Sequence, residues 1–401
     1  MNVPLLRVHQ RPLAQDRKRS DACLNEGDDV SIALVWTQFS PYHIDRIEAA
    51  AAVCGGDHQV LACEIATTSA TYAWDPSGDV RGARKITLFP GQSYDRIAWP
   101  RRFLALAKAL RRARTVFIGV SCAEPDIIAL SWWLKLTGKR VIMMNESKFD
   151  DRPRRAGFEF LKSLVLAPYH AAIVGGPRHT DFLRYLGFRR REVIEGYDCV
   201  GLDRVRALGA HPPAPDGPAY AARPFVFVGR LVPKKNVLTL IDAFASYVSL
   251  AGDAARRLVI VGGGPEDAAV RERIRQAGVS ALVDMPGFLQ ADGVAAALSG
   301  AVALILPSRE EQWGLVVNEA LAFHLPVIVS SNVGARDRLV HNLINGFVIE
   351  PDGVEGFARA MLALGHDEAL WRRMVAESAK LQDLADAPRF AQAVATMAGK
   401  A

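Results

Sequence analysis

The sequence predicts an α/β protein built from two parallel-sheet domains that face a central cleft. Three observations predict it. Short apolar runs of strand length alternate with helical patterns along most of the 401 residues, and such alternation builds parallel sheets joined by crossover helices. The alternation is interrupted once, by a Pro- and Gly-rich stretch from His211 to Pro218 that has no apolar period and reads as a linker. The segments on either side are similar in size, and open parallel sheets take ligands at the carboxyl ends of their strands.

In the first half, strands are predicted at 30–36, 59–64, 116–120, 140–144 and 171–174. Residues 101–114 read as a helix, with Phe103, Leu106, Ala107 and Leu110 on one face. In the second half, strands are predicted at 225–228, 257–261, 282–285, 302–306 and 327–329, and helices at 237–250, 266–277, 293–298 and 315–322. The expected organisation is a leader over 1–29, a first domain over 30–209, a linker over 210–224, a second domain over 225–375, and helices over 376–401 that return to the first domain.

Composition narrows the class. Half of the residues are apolar and 23% are charged, which is globular rather than disordered. The apolar runs, such as 116–120 and 301–306, are far shorter than the roughly 18 residues that span a bilayer. Residues 1–29 carry Arg7, Arg11, Arg17, Lys18 and Arg19 but no apolar stretch of the kind a secretory signal needs. The five cysteines, Cys23, Cys54, Cys63, Cys122 and Cys199, are scattered without metal or redox spacing, so a reducing, cytoplasmic setting is expected. The net charge of +6 suits an anionic partner without choosing one. Nucleic acid is not an expected partner, because no interleaving of basic and aromatic residues accompanies the charge.

Four segments of the second half carry chemistry. Gly229, Arg230 and Lys235 follow a strand; Arg offers a planar fork for phosphate oxygens and Lys a point charge. Gly262, Gly263 and Gly264 make a turn that matches a dinucleotide fingerprint poorly and reads better as a packing turn. Residues 307–320 follow an apolar strand and open a helix near Gly314, whose first N–H groups suit a diphosphate. Glu311 lies before that helix and Glu319 inside it, so they are read as hydroxyl acceptors rather than as a metal pair. The fourth segment, 325–335, is a strand with a small polar turn.

Taken in order, these segments resemble a known family. Gly229-Arg230-Leu231 with Lys235, then Gly262 to Pro265, Pro286-Gly287-Phe288, Pro307-Ser308 with Glu311 and Glu319-Ala320, and Pro326-Val327-Ile328 are similar to the nucleotide-sugar domain of retaining family 4 glycosyltransferases. The resemblance runs from Phe225 to about Phe357. It implies a GT-B fold of two Rossmann-like domains and a nucleotide diphosphate-sugar donor. It also implies transfer with retention, and no cofactor or metal. Arg230 and Lys235 would hold the diphosphate, with Gly229 in the turn that precedes them. Glu311 would contact the transferred sugar and Glu319 the ribose. Phe288 would stand beside the base, and Gln312, Trp313, Gly314 and Leu315 would turn their amides to sugar and phosphate.

The first domain resembles the family's acceptor domain more loosely. The loop from Gln38 to His43 lacks the family's glycines, and Glu146 stands near a position where many members have histidine. Glu146 is a candidate to orient the acceptor hydroxyl or take its proton; the alternative is an ion pair with Lys148 or Arg152. His43 and His179 are further candidates at strand ends. The acceptor is expected to be a glycan, a lipid-linked or a small molecule. Two basic stretches, 101–114 and 148–155, the latter followed by Phe158, Phe160, Leu161 and Leu164, are candidates for peripheral membrane contact on the cytoplasmic face. Competing readings are a nucleotide-sugar epimerase and a catalytically silent nucleotide-sugar binder.

Overall fold

The computed structural model describes residues 31–55, 59–69, 78–151 and 153–399. The expected leader, Cys23 and Arg152 lie outside the described residues.

The first domain holds a seven-stranded sheet. Its strands are β1 (Ile32–Trp36), β2 (Val60–Thr68), β3 (Arg84–Ser93), β4 (Thr115–Ile118), β5 (Arg140–Asn145), β6 (Ala171–Val174) and β7 (Glu192–Glu195). The second holds a six-stranded sheet of β8 (Phe225–Val228), β9 (Leu258–Val261), β10 (Val283–Gly287), β11 (Ala303–Leu306), β12 (Val327–Ser330) and β13 (Gly346–Ile349). All pairings in both sheets are parallel. Helices cover both faces, so central strands such as β1 and β11 are buried along their whole length.

The first-domain helices are α1 (Pro41–Cys54), α2 (Trp99–Leu110), α3 (Pro125–Leu136), α4 (Ala156–Val165) and α5 (Pro177–Tyr185), followed by α6 (Leu202–Leu208). The second domain adds α7 (Val237–Ala251), α8 (Asp267–Gln276), α9 (Ala291–Ser299), α10 (Leu315–Ala322), α11 (Arg336–Leu339), α12 (Val354–His366) and α13 (Glu368–Ala379). Two last helices, α14 (Gln382–Ala385) and α15 (Ala387–Ala398), complete the chain. α15 lies on α1, and its Phe390, Val394 and Met397 share a core with Trp36, Phe39 and Ile47 of the first domain.

α1 shows how sequence sets a helix start. The Ser40 hydroxyl accepts from the His43 N–H, the Ser40 N–H donates back to His43 Nδ1 at 3.0 Å, and Pro41 opens the first turn. His43 thereby serves as a capping residue packed on Trp36, and burial lowers its pKa well below the usual histidine value.

Three strands escape the sequence reading: β3, β7 and β13. All are sheet edges, and β3 and β7 carry charges, with Arg84 and Lys85 opening β3 and Glu192 and Glu195 bounding β7. Edge strands use such residues to block further pairing, which dilutes the apolar signal. The stretch Pro233–Ala254 is long and apolar enough to cross a membrane, but Leu240, Ile241, Phe244 and Tyr247 are buried in the second core, where α7 lies against α12.

The helix read over 101–114 is α2, which ends at Leu110. α2 buries Leu106 and Leu110 inward, and Arg102 is buried with them, donating to Asp126 at 2.9 and 2.7 Å. In the stretch 148–155, Lys148 is fully buried and pairs with Asp150, while Arg154 pairs with Asp151 and Glu159. Three of the basic residues read as a membrane face, Arg102, Lys148 and Arg154, are thus paired with carboxylates in the domain.

Candidate active site

The sheet topology places the site. Strand order is β3-β2-β1-β4-β5-β6-β7 in one sheet and β10-β9-β8-β11-β12-β13 in the other. In both, the order reverses beside the first strand, so neighbouring loops diverge there and leave a crevice at the strands' carboxyl ends. The loops after β1, β4 and β5 therefore face those after β8 and β11. Between the domains lies a cavity of about 1110 Å³, lined by Glu146 and Ser121 from one side and Lys234, Glu310, Glu311 and Gln312 from the other.

On the second-domain side, Lys235 forms an ion pair with Glu311, and Ser308 Oγ donates to Glu311 Oε2 at 3.1 Å. Arg230 is exposed on the same loop. Gly229 is held from behind by the glycine turn: a Cβ on Gly262, which has φ +146°, would sit 1.8 Å from the Gly229 carbonyl oxygen. Only glycine fits there, and the turn works in packing. Phe288 stands exposed beyond β10, beside Gly263.

α10 starts at Gly314, whose φ of +100° and closeness to Leu306 and Glu311 exclude a side chain. Leu315 takes the first helical position, and the amides of this first turn lack partners within the helix. Trp313 points the other way. Its indole is buried and donates to Asn318 Oδ1 at 2.9 Å, so its side chain packs the domain junction while only its backbone belongs to the turn. The Gln312 carbonyl lies 3.0 Å from His179 Nε2. His179 Nδ1 accepts from the Gly176 N–H at 3.2 Å, so Nε2 carries the proton and donates across the junction. Both candidate histidines are thus structural.

Glu319 is buried at the junction, where the Tyr42 hydroxyl donates to its Oε1 at 3.0 Å. Burial raises the Glu319 pKa to about 7, against the opposing pull of Tyr42 and Arg204. Arg204 is itself held by Asp45 at 2.7 Å.

Glu146 lines the cavity opposite Glu311. Its expected alternative partner Lys148 is committed to Asp150. The neighbour of Glu146 is instead Asp198, fully buried, whose pKa burial and the Glu146 charge raise well above the carboxylate range. Arg46 lies 3.7 Å from Asp198 Oδ1. The sequence reading gave no role to Asp198, to Tyr42 of the loop from Gln38 to His43, or to Lys234 beside Lys235. Asn318, which donates to the carbonyls of Asp198 and Ala385 at 2.8 and 3.0 Å, carried no signal.

The domains meet through further contacts of this kind. Arg178 donates to Asp337 at 2.6 Å and to the Val333 carbonyl at 2.7 Å, and Arg338 donates to Glu195 at 2.6 Å. Among the described residues, no cluster of three or more His, Cys, Asp or Glu is arranged to hold a metal ion. The site offers cations and helix amides on one wall and carboxylates on both.

Known proteins share this architecture. Residues 221–381 match the family described as Glycosyl transferases group 1. The chain is 29% identical over 160 residues to an alpha-D-kanosaminyltransferase of Streptomyces kanamyceticus, a match covering 40% of this chain and 41% of that relative. The aligned part thus spans about two-fifths of the curated relative. Sucrose-phosphate synthase from Thermosynechococcus elongatus superposes with a TM-score of 0.70 at 19% identity, covering 92% of this chain and 98% of the other. The Anabaena protein HepE, solved in complex with UDP and glucose, gives a TM-score of 0.69 at 14% identity, covering 93% of this chain and all of the other. The fold is GT-B, two Rossmann-like domains facing a cleft.

Proposed function

We propose that this chain, whose residues 221–381 form a glycosyl transferases group 1 domain, is a glycosyltransferase that moves a sugar from a nucleotide diphosphate-sugar to an acceptor hydroxyl, with retention and without a metal. The observation that carries the reading is the meeting of Glu311, itself ion-paired to Lys235, with Glu146 around one interdomain cavity. UDP in the similar Anabaena protein supports a nucleotide donor.

In this reading the ion pair of Lys235 with Glu311 opens when donor binds. Lys235 and Arg230 turn to the diphosphate, and Glu311 accepts from a hydroxyl of the transferred sugar. As the bond between the anomeric carbon and the diphosphate oxygen breaks, negative charge grows on the leaving group. The two cations and the first-turn amides of α10 stabilise it. The acceptor oxygen bonds to the anomeric carbon from the leaving-group face, and Glu146 orients its hydroxyl and receives the proton. Glu319 exchanges the Tyr42 hydroxyl for a ribose hydroxyl, and Phe288 stands beside the base. The reduced cysteines and the reading as a cytoplasmic enzyme go together.

The test is release of nucleoside diphosphate from UDP-, GDP-, ADP- and dTDP-sugars in the presence of EDTA. One donor is expected to be turned over by the wild type and not by Glu311→Ala. Turnover by the Glu311→Ala protein at the wild-type rate would overturn the site. An epimerase would return an isomerised donor and release no diphosphate.

A further inference from the structure

α4 is inside out. Its single fully buried residue is Glu159, paired with Arg154 at 3.3 Å, whereas Phe158, Phe160, Leu161 and Leu164 are 66, 68, 58 and 52% exposed. At 100° per residue, Phe158, Phe160, Leu161, Leu164 and Val165 form one continuous apolar arc. Polar groups therefore fix this helix to the domain while its apolar side is left for something else.

That arc is continuous with the cavity. Phe158, Leu161 and Val165 line it together with Glu146 and Glu311. Ile128 of α3 lines it as well, and Trp132 and Leu136, one and two turns further along the same face, are 40 and 79% exposed. Lys135 Nζ donates to the Ala167 carbonyl at 2.9 Å, tying the far end of α3 to the end of α4. The two helices thus wall an apolar groove that starts beside the transfer site and runs out along the first domain. Arg155 and Lys162 also line the cavity, at the groove's mouth.

We infer that this groove takes the apolar chain of an amphiphilic acceptor, with its hydroxyl-bearing head at Glu146 and an anionic linkage at Arg155 and Lys162. The inference rests on the proposed transferase reading and adds the acceptor class to it. Two observations choose a single chain over a charged surface. The groove opens into the interdomain cavity, and Lys148 and Arg154 are turned inward by ion pairs.

The experiment titrates octyl, decyl and dodecyl phosphate, below micelle formation, into wild type and Phe158→Ser/Leu161→Ser, alongside the nucleoside diphosphate that the wild type selects. Burial of methylenes predicts that wild-type affinity rises about tenfold for each added pair. The double variant is expected to lose at least tenfold for dodecyl phosphate and nothing for the nucleotide, which also reports its folding. Affinity independent of chain length, or equal in the double variant, would overturn the groove while intact nucleotide binding left the donor site standing. Binding only to phosphatidylglycerol vesicles, without chain-length dependence, would overturn it in favour of a surface contact. Chain-dependent binding by a protein that takes no nucleotide would overturn the role as acceptor and the transferase reading together.

Discussion

Tyr42 of α1 and Glu319 of α10 touch across the domain junction, with the phenol hydroxyl 3.0 Å from the carboxylate. The contact is a hydroxyl donating to a buried acid, the same chemistry a ribose would use. It joins two residues 277 apart in sequence, so the junction and the proposed nucleotide site share one hydrogen bond.

The raised Glu319 pKa has a consequence for stability. In the unfolded chain its carboxyl ionises near 4.5, and in the folded chain near 7. Between those values the unfolded state binds fewer protons, so stability falls as pH rises from about 4.5 to 7 and is level above. Glu319→Gln removes this cost. Its Tm is expected to exceed the wild type's at pH 8, by an amount worth up to about 3 kcal/mol, with the gap closing below pH 4.5. Thermal melts across this range check it.

Tyr42→Phe removes the hydroxyl that a ribose would displace at Glu319 in the proposed donor complex. Nucleoside diphosphate affinity is expected to rise about fivefold, the worth of one hydrogen bond of about 1 kcal/mol. Weaker binding in a calorimetric titration would mean that Tyr42 instead contacts the nucleotide.

Asn318 ties Trp313, Asp198 and Ala385 together at the centre of the junction. Asn318→Ala leaves three buried polar groups without this partner and is expected to cost about 2–3 kcal/mol in urea unfolding. A surface residue would cost under about 0.5 kcal/mol.

Glu146→Gln keeps the shape of the acceptor side and removes its charge. Nucleotide affinity is expected to stay within twofold, while transfer falls by about 10²-fold or more. Equal transfer rates would remove Glu146 from the reaction.

The legible parts of the fold were those whose signal is local. Buried central strands such as β11 read directly as apolar runs. Edge strands β3 and β7 did not, because charge replaces apolar residues there. Lys235 and Glu311 were found through ordered motifs. Asp198 and Asn318 work through contacts between distant segments, which no sequence period records. The pairing in the basic stretch 148–155 was hidden for the same reason: the carboxylates that neutralise Lys148 and Arg154 become visible only when the loop is folded.

The central claim is a nucleotide-sugar site on the second domain, and calorimetric titration of UDP, GDP, ADP and dTDP in EDTA, into wild type, Arg230→Ala and Lys235→Ala, tests it most directly. One nucleotide is expected to bind the wild type without metal, and each variant to weaken that binding at least tenfold. Absence of binding by all four, or binding unchanged in both variants, would contradict it.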